Sequence, residues 1–101
     1  MYIYNVTIKI ENAIEEKWLE WMKEEHLQEV VDTGMFDSYH FLELVEDEDD
    51  GTKTYIAQYM TDSENRYNRY IKEFAPKLRE KGYAKFGNQF IAFRTILKKH
   101  I

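Results

Sequence analysis

The chain has 101 residues, a formal net charge of −5 and no cysteine. This is the length of one domain, so a single domain over residues 1–101 is expected, without disulfides, thiolate chemistry or cysteine-held zinc. The acidic balance speaks against a nucleic-acid partner, which needs a basic face, and neither a signal peptide nor a membrane-spanning run is visible, so a cytoplasmic location is expected.

Residues 2–10, YIYNVTIKI, alternate as a strand, with Tyr2, Tyr4, Val6, Ile8 and Ile10 on one face and Ile3, Asn5, Thr7 and Lys9 on the other. Asn12 and Glu15 have the spacing of a capping box, which predicts a helix running to about Asp32 and ending at Gly34. Trp18 and Met22 fall in the middle of its apolar stripe and are read as core. Trp21 lies at the stripe's edge, placed to cover a cavity mouth. His26 sits on the flank towards the helix end, where the dipole favours the protonated imidazole.

DSYHFLELVE (37–46) and KTYIAQYMT (53–61) read as two more strands, joined by an acidic hairpin tip, Glu46–Asp50, and closed by Gly51. Asp62 or Ser63 caps a second helix whose stripe is Tyr67, Ile71, Phe74 and Leu78. Pro76 interrupts it, predicting a kink or a new short helix, and Gly87 ends the segment. NQFIAFRTIL (88–97) is the last strand.

The order β-α-β-β-α-β predicts an α+β, ferredoxin-like fold. Its four-stranded antiparallel sheet has strand order 4-1-3-2, and both helices lie on one face. In a monomer the other face should be polar, yet the second, third and last strands are apolar on both sides. Aromatic residues, 16% of the chain, add to the excess. A patch of that size is best dried by a second copy, so a homodimer closed sheet against sheet, with a barrel-like cavity between, is expected.

The polar residues assigned to that second face are Asn5, Thr7, His40, Thr54, Gln58 and Arg94. Polar groups converging in an apolar cavity mark a small-ligand site. Arg94 suits a carboxylate or enolate, and His40 suits proton transfer near neutral pH. The competing reading is that these groups satisfy one another across the dimer. No metal or other cofactor is expected. His26 and Glu29 are a turn apart but His40 and His100 add no supporting spacing, and the acidic tip lacks a calcium-loop pattern. No phosphate loop, nucleophile elbow or dinucleotide fingerprint occurs.

The stretches WLEWM and AQYMTDSENRYNRYIKEFAP resemble the dimeric α+β-barrel superfamily, which includes antibiotic-biosynthesis monooxygenases. YNVTIKI, WLEWMKEEH, EFAP and FRT are similar, over nearly the whole length, to the bacterial family of domain of unknown function 4286. The resemblance implies a barrel-forming ferredoxin-like dimer and no assigned activity. The monooxygenases use an inward asparagine, tryptophan and arginine. Asn5 and Arg94 match two of these roles, whereas the third strand ends QYMT and offers no counterpart tryptophan. Two functions follow. One is binding of a small aromatic or apolar, possibly acidic, molecule between the sheets, with cofactor-free oxygenase or isomerase chemistry by analogy of fold. The other is a non-enzymatic dimerisation or regulatory module.

Overall fold

The first strand organises the molecule. β1 (Tyr2–Glu11) pairs antiparallel with β3 (Thr52–Thr61) on one side and with β4 (Phe90–Lys98) on the other. β2 (Ser38–Glu43) extends the sheet beyond β3, giving the order β2-β3-β1-β4, as the sequence predicts. This is a computed structural model, and it describes residues 1–46 and 50–101. The acidic hairpin tip therefore falls largely outside the described residues. Its far end is described: Asp50 holds Lys9 at 2.8 Å, and Gly51 adopts a φ of +84°.

The chain leaves β1 differently from expectation. Asn12 and Glu15 form no capping box; a 3₁₀ turn, Asn12–Ile14, has no side-chain cap, and the Asn12 N–H donates to the Gly51 carbonyl at 3.0 Å. Pairing with the neighbouring connection thus replaces the local cap. The helix then continues as α1 (Glu15–Trp21), a π-helical turn (Met22–His26) and α2 (Leu27–Asp32). Gly34 follows, with φ +82° and its N–H donating to the Val31 carbonyl, the left-handed stop that glycine permits.

Ser63 is the cap of α3 (Glu64–Glu73), its hydroxyl accepting from the Arg66 N–H at 3.2 Å. Phe74 separates α3 from α4 (Ala75–Phe86), which carries Pro76 in its first turn, where a missing N–H costs no helical hydrogen bond. Arg66 pins the start of α3 to the preceding connection through Asp37 and the Gly34 carbonyl.

Both helical runs lie over one face of the sheet. Tyr4, Val6, Ile8 and Ile10 of β1 and Tyr55, Ala57 and Tyr59 of β3 are buried against Trp18, Met22, Leu27, Val30 and Leu78. Each such large side chain contributes about 1.5–3 kcal/mol on leaving water. Trp18, 2% exposed, packs on Phe41 and Tyr55, as a core residue should. Among the described residues no helix is long and apolar enough to cross a membrane.

Candidate functional site

The register brings three of the expected site residues into one row. Asn5 faces Gln58 across β1 and β3, Gln58 faces His40 across β3 and β2, and Thr95 of β4 completes the line opposite Asn5. The Gln58 side-chain amide donates to Asn5 Oδ1 at 3.1 Å, and Asn5 donates to the Thr7 hydroxyl at 3.4 Å. This polar row crosses the face that carries no helices. Bands of Ile3, Met60 and Leu97 on one side and Thr7, Ile56, Leu42 and Phe93 on the other flank it. On that face Leu42, Ile91, Phe93 and Leu97 are 46%, 57%, 60% and 43% exposed.

Arg94 is not part of this row. It pairs with Val6, whose side is covered by the helices, so the expectation that Arg94 shares a face with Asn5, His40 and Gln58 is corrected by the register. The sheet stands between Arg94 and His40, dividing the arginine from the proton-transfer candidate. Trp21 also lies on the helix side, buried, where it lines a cavity.

Arg94 instead reaches a cavity of about 60 Å³ between the sheet and the helices. Val6, Ala57, Ala92 and Gly82 are the small residues that leave the space, and Trp18, Trp21, Met22, Leu78 and Phe90 wall it. Its polar lining is His26, Arg79, Arg94 and the tyrosines Tyr4, Tyr59 and Tyr70. His26, Arg79 and Arg94 are only partly buried, whereas the three tyrosines and most of the apolar lining are buried.

The π turn makes this arrangement. In a regular helix residues five apart point about 140° away from each other. Widening the hydrogen bonding to five residues, as the Leu27 N–H does in donating to the Met22 carbonyl, turns Trp21 and His26 to the same side. Their rings stack at 4.5 Å between centroids and 21° between planes. His26 stands six residues before the run ends at Asp32, and its burial disfavours the protonated imidazole expected there. Burial, aided by Lys81 and Arg94 and opposed by Glu29, lowers its pKa to about 4, so the ring is neutral near pH 7.

Arg79 donates from Nη2 to the Tyr4 hydroxyl at 3.1 Å. Arg79 Nε and His26 Nδ1 are buried without a hydrogen-bond partner among the described residues, as is Glu29 Oε1, whose other oxygen accepts from Lys81 at 2.5 Å. Burial raises the pKa of Tyr70 and Tyr59, which keeps both as neutral phenols. Sequence reasoning passed over Arg79. Its signal was there in the spacing: Ala75, Arg79, Gly82 and Phe86 follow the i, i+4, i+7, i+11 pattern of a buried stripe, with an arginine where an apolar residue belongs.

A family model described as "Domain of unknown function (DUF4286)" matches residues 1–100. No curated protein matches the chain. Among solved structures it is similar to an ethyl tert-butyl ether D (EthD) family protein from Bacillus halodurans C-125, at 11% identity and TM-score 0.70, covering 99% of this chain and 100% of that one. It is similar also to two dimeric ferredoxin-like proteins from uncultured marine organisms. One has 6% identity and TM-score 0.67, covering 99% and 98% of the two chains. The other has 17% identity and TM-score 0.60, covering 100% and 99%. At these identities the likeness is one of fold.

Proposed function

Since the chain belongs to the DUF4286 family, whose description carries no activity, we propose a function from its geometry. The protein is a homodimer closed sheet on sheet, and each copy binds a small, largely apolar molecule on the helix side of its sheet. The observation that carries the dimer is the open face of β4, where Ile91 and Phe93 are more than half exposed while lying beside a fully formed sheet.

Three strands of nine or ten residues and the six-residue β2 make a face on the order of 500 Å² before side-chain relief. That is on the order of the 800 Å² per partner of a stable interface. The face is also self-complementary. Asn5 and Gln58 carry both donors and acceptors and can meet their own copies about a two-fold axis, and Lys9 is neutralised by Asp50. Two of the similar solved structures are described as dimeric, which supports the same reading. With Asn5 and Gln58 already bonded to each other, the space between sheets offers little for a ligand, and the helix-side cavity is the better place for one.

Sedimentation equilibrium at micromolar concentration tests the assembly. The wild type should show a mass near twice 12.3 kDa. Phe93→Lys should show the single-chain mass with an unchanged circular dichroism spectrum. A wild type that sediments as one chain contradicts the dimer.

A further inference from the structure

We propose that the helix-side cavity is a carboxylate site, in which Arg94 and Arg79 hold the acid head of a small molecule whose apolar part lies along Phe90, Ala92 and Leu78. This rests on the reading of the chain as a ligand-binding protein and adds the chemical class; it does not depend on the dimer.

The four arginines separate cleanly. Arg66 pairs with Asp37 and Arg69 with Glu73, both at the surface. Arg79 and Arg94, which line the cavity, have no carboxylate partner among the described residues, in a chain with 19 acidic residues against 14 basic ones. A guanidinium does not shed its proton, so two of them beside one mostly apolar cavity repel each other and lack the counter-charge that would offset their partial desolvation. The nearby acid that acts on His26, Glu29, is engaged by Lys81 and does not line the cavity. An anion entering from solvent supplies what is missing.

The remaining donors suit a carboxylate. Arg79 Nε is a buried donor unmatched among the described residues, and His26 Nδ1 is a second buried nitrogen without a partner there. A neutral imidazole can donate one hydrogen bond without adding a third positive charge, and its stacking on Trp21 fixes the plane in which it does so. The planar fork of arginine matches two carboxylate oxygens. A volume of about 60 Å³ admits a carboxylate and a short carbon chain. An apolar wall of Val6, Ile8, Leu78 and Ala92 favours a carbon-bearing monoanion over strongly hydrated phosphate.

The test is a titration of the full chain by NMR with sodium butyrate, butyramide and sodium phosphate at constant ionic strength. The carboxylate site predicts that butyrate shifts the His26 ring and the Trp21 indole in a saturable way. The rings of His40, on the opposite face, and His100, at the chain end, should not move. Butyramide and phosphate should bind at least tenfold more weakly. Arg94→Gln and Arg79→Gln should each weaken butyrate at least tenfold, and Arg69→Gln should leave it unchanged. The Arg94 side chain makes no hydrogen bond or ion pair among the described residues, so its variant keeps the test informative if loss of the Tyr4 contact disturbs the Arg79 variant. Equal binding of butyrate and butyramide overturns the carboxylate inference and leaves the ligand-binding reading standing. So does butyrate affinity in Arg94→Gln within twofold of wild type, or phosphate binding as tightly as butyrate. No saturable binding of any of the three overturns both.

Discussion

β1 and β4 are neighbours in one sheet, paired residue for residue from Tyr2 opposite Lys98 to Ile10 opposite Phe90, yet they use their faces in opposite ways. β1 behaves as a half-buried strand should. Tyr4, Val6, Ile8 and Ile10 go under the helices, and Asn5, Thr7 and Lys9 look away from them. β4 turns Ile91, Phe93 and Leu97 to the uncovered side and sends Arg94 beneath the helix layer. The difference teaches that in the edge strand neither face is plain core or plain surface. Its uncovered side is proposed to meet a second copy, and Arg94 on its helix side to meet a ligand.

The comparison can be broken most forcefully in the core. Ile10 is fully buried, so Ile10→Ala should cost about 2–5 kcal/mol in denaturant unfolding, the usual range for a large-to-small change at a closed site. Phe93→Ala, on the open side of β4, should cost the single chain less than about 1 kcal/mol while weakening self-association at least tenfold. Equal losses from the two substitutions in the dissociated chain would erase the distinction between the strands.

Acid sharpens it next. His26 has an ordinary pKa of 6.5 when unfolded and about 4 when folded. Between these values the unfolded chain binds the extra proton, so its contribution is whole above about pH 6.5 and is lost as pH falls towards 4. The loss should reach on the order of 2–3 kcal/mol by pH 4. His26→Phe, which keeps a ring on Trp21, should remove that part of the slope between pH 7 and pH 4.5. An identical slope in both proteins would mean that the imidazole is not held neutral by the cavity.

The smallest expected effect is a gain. A methyl group at Gly82 would lie 3.5 Å from Trp21 and 3.6 Å from Phe90, ordinary contact distances inside α4. Gly82→Ala should therefore stabilise the chain by about 0.5–1 kcal/mol through helix propensity. It should also narrow the cavity beside β4 and weaken butyrate. A loss of stability would show that the space is tighter than these distances allow.

Most of the fold was legible because local signals agreed: period-two strands, Gly34 and Gly87 as stops, Ser63 as a cap, and Pro76 where a helix starts anew. The shared face of Asn5, Gln58 and His40 was legible from alternation, but their alignment in one row comes only from the strand register. The orientation of β4 was not. Both of its alternating sets are apolar, so composition left Arg94 free to go either way, and only its pairing with Val6 decides. The contact of Trp21 with His26 was hidden by an assumption of regular 100° spacing, which a single π turn breaks. The missing capping box shows the reverse case, a good local motif displaced by a tertiary hydrogen bond to Gly51.

The most direct test is hydroxyl-radical footprinting of the intact chain, reading Ile91 and Phe93 at concentrations above and below the dissociation point. Both side chains should be protected at the higher concentration and labelled freely on dilution, while Ile10 stays unlabelled throughout. Strong labelling of Phe93 at every concentration would leave the open side of β4 in contact with water alone and contradict the account.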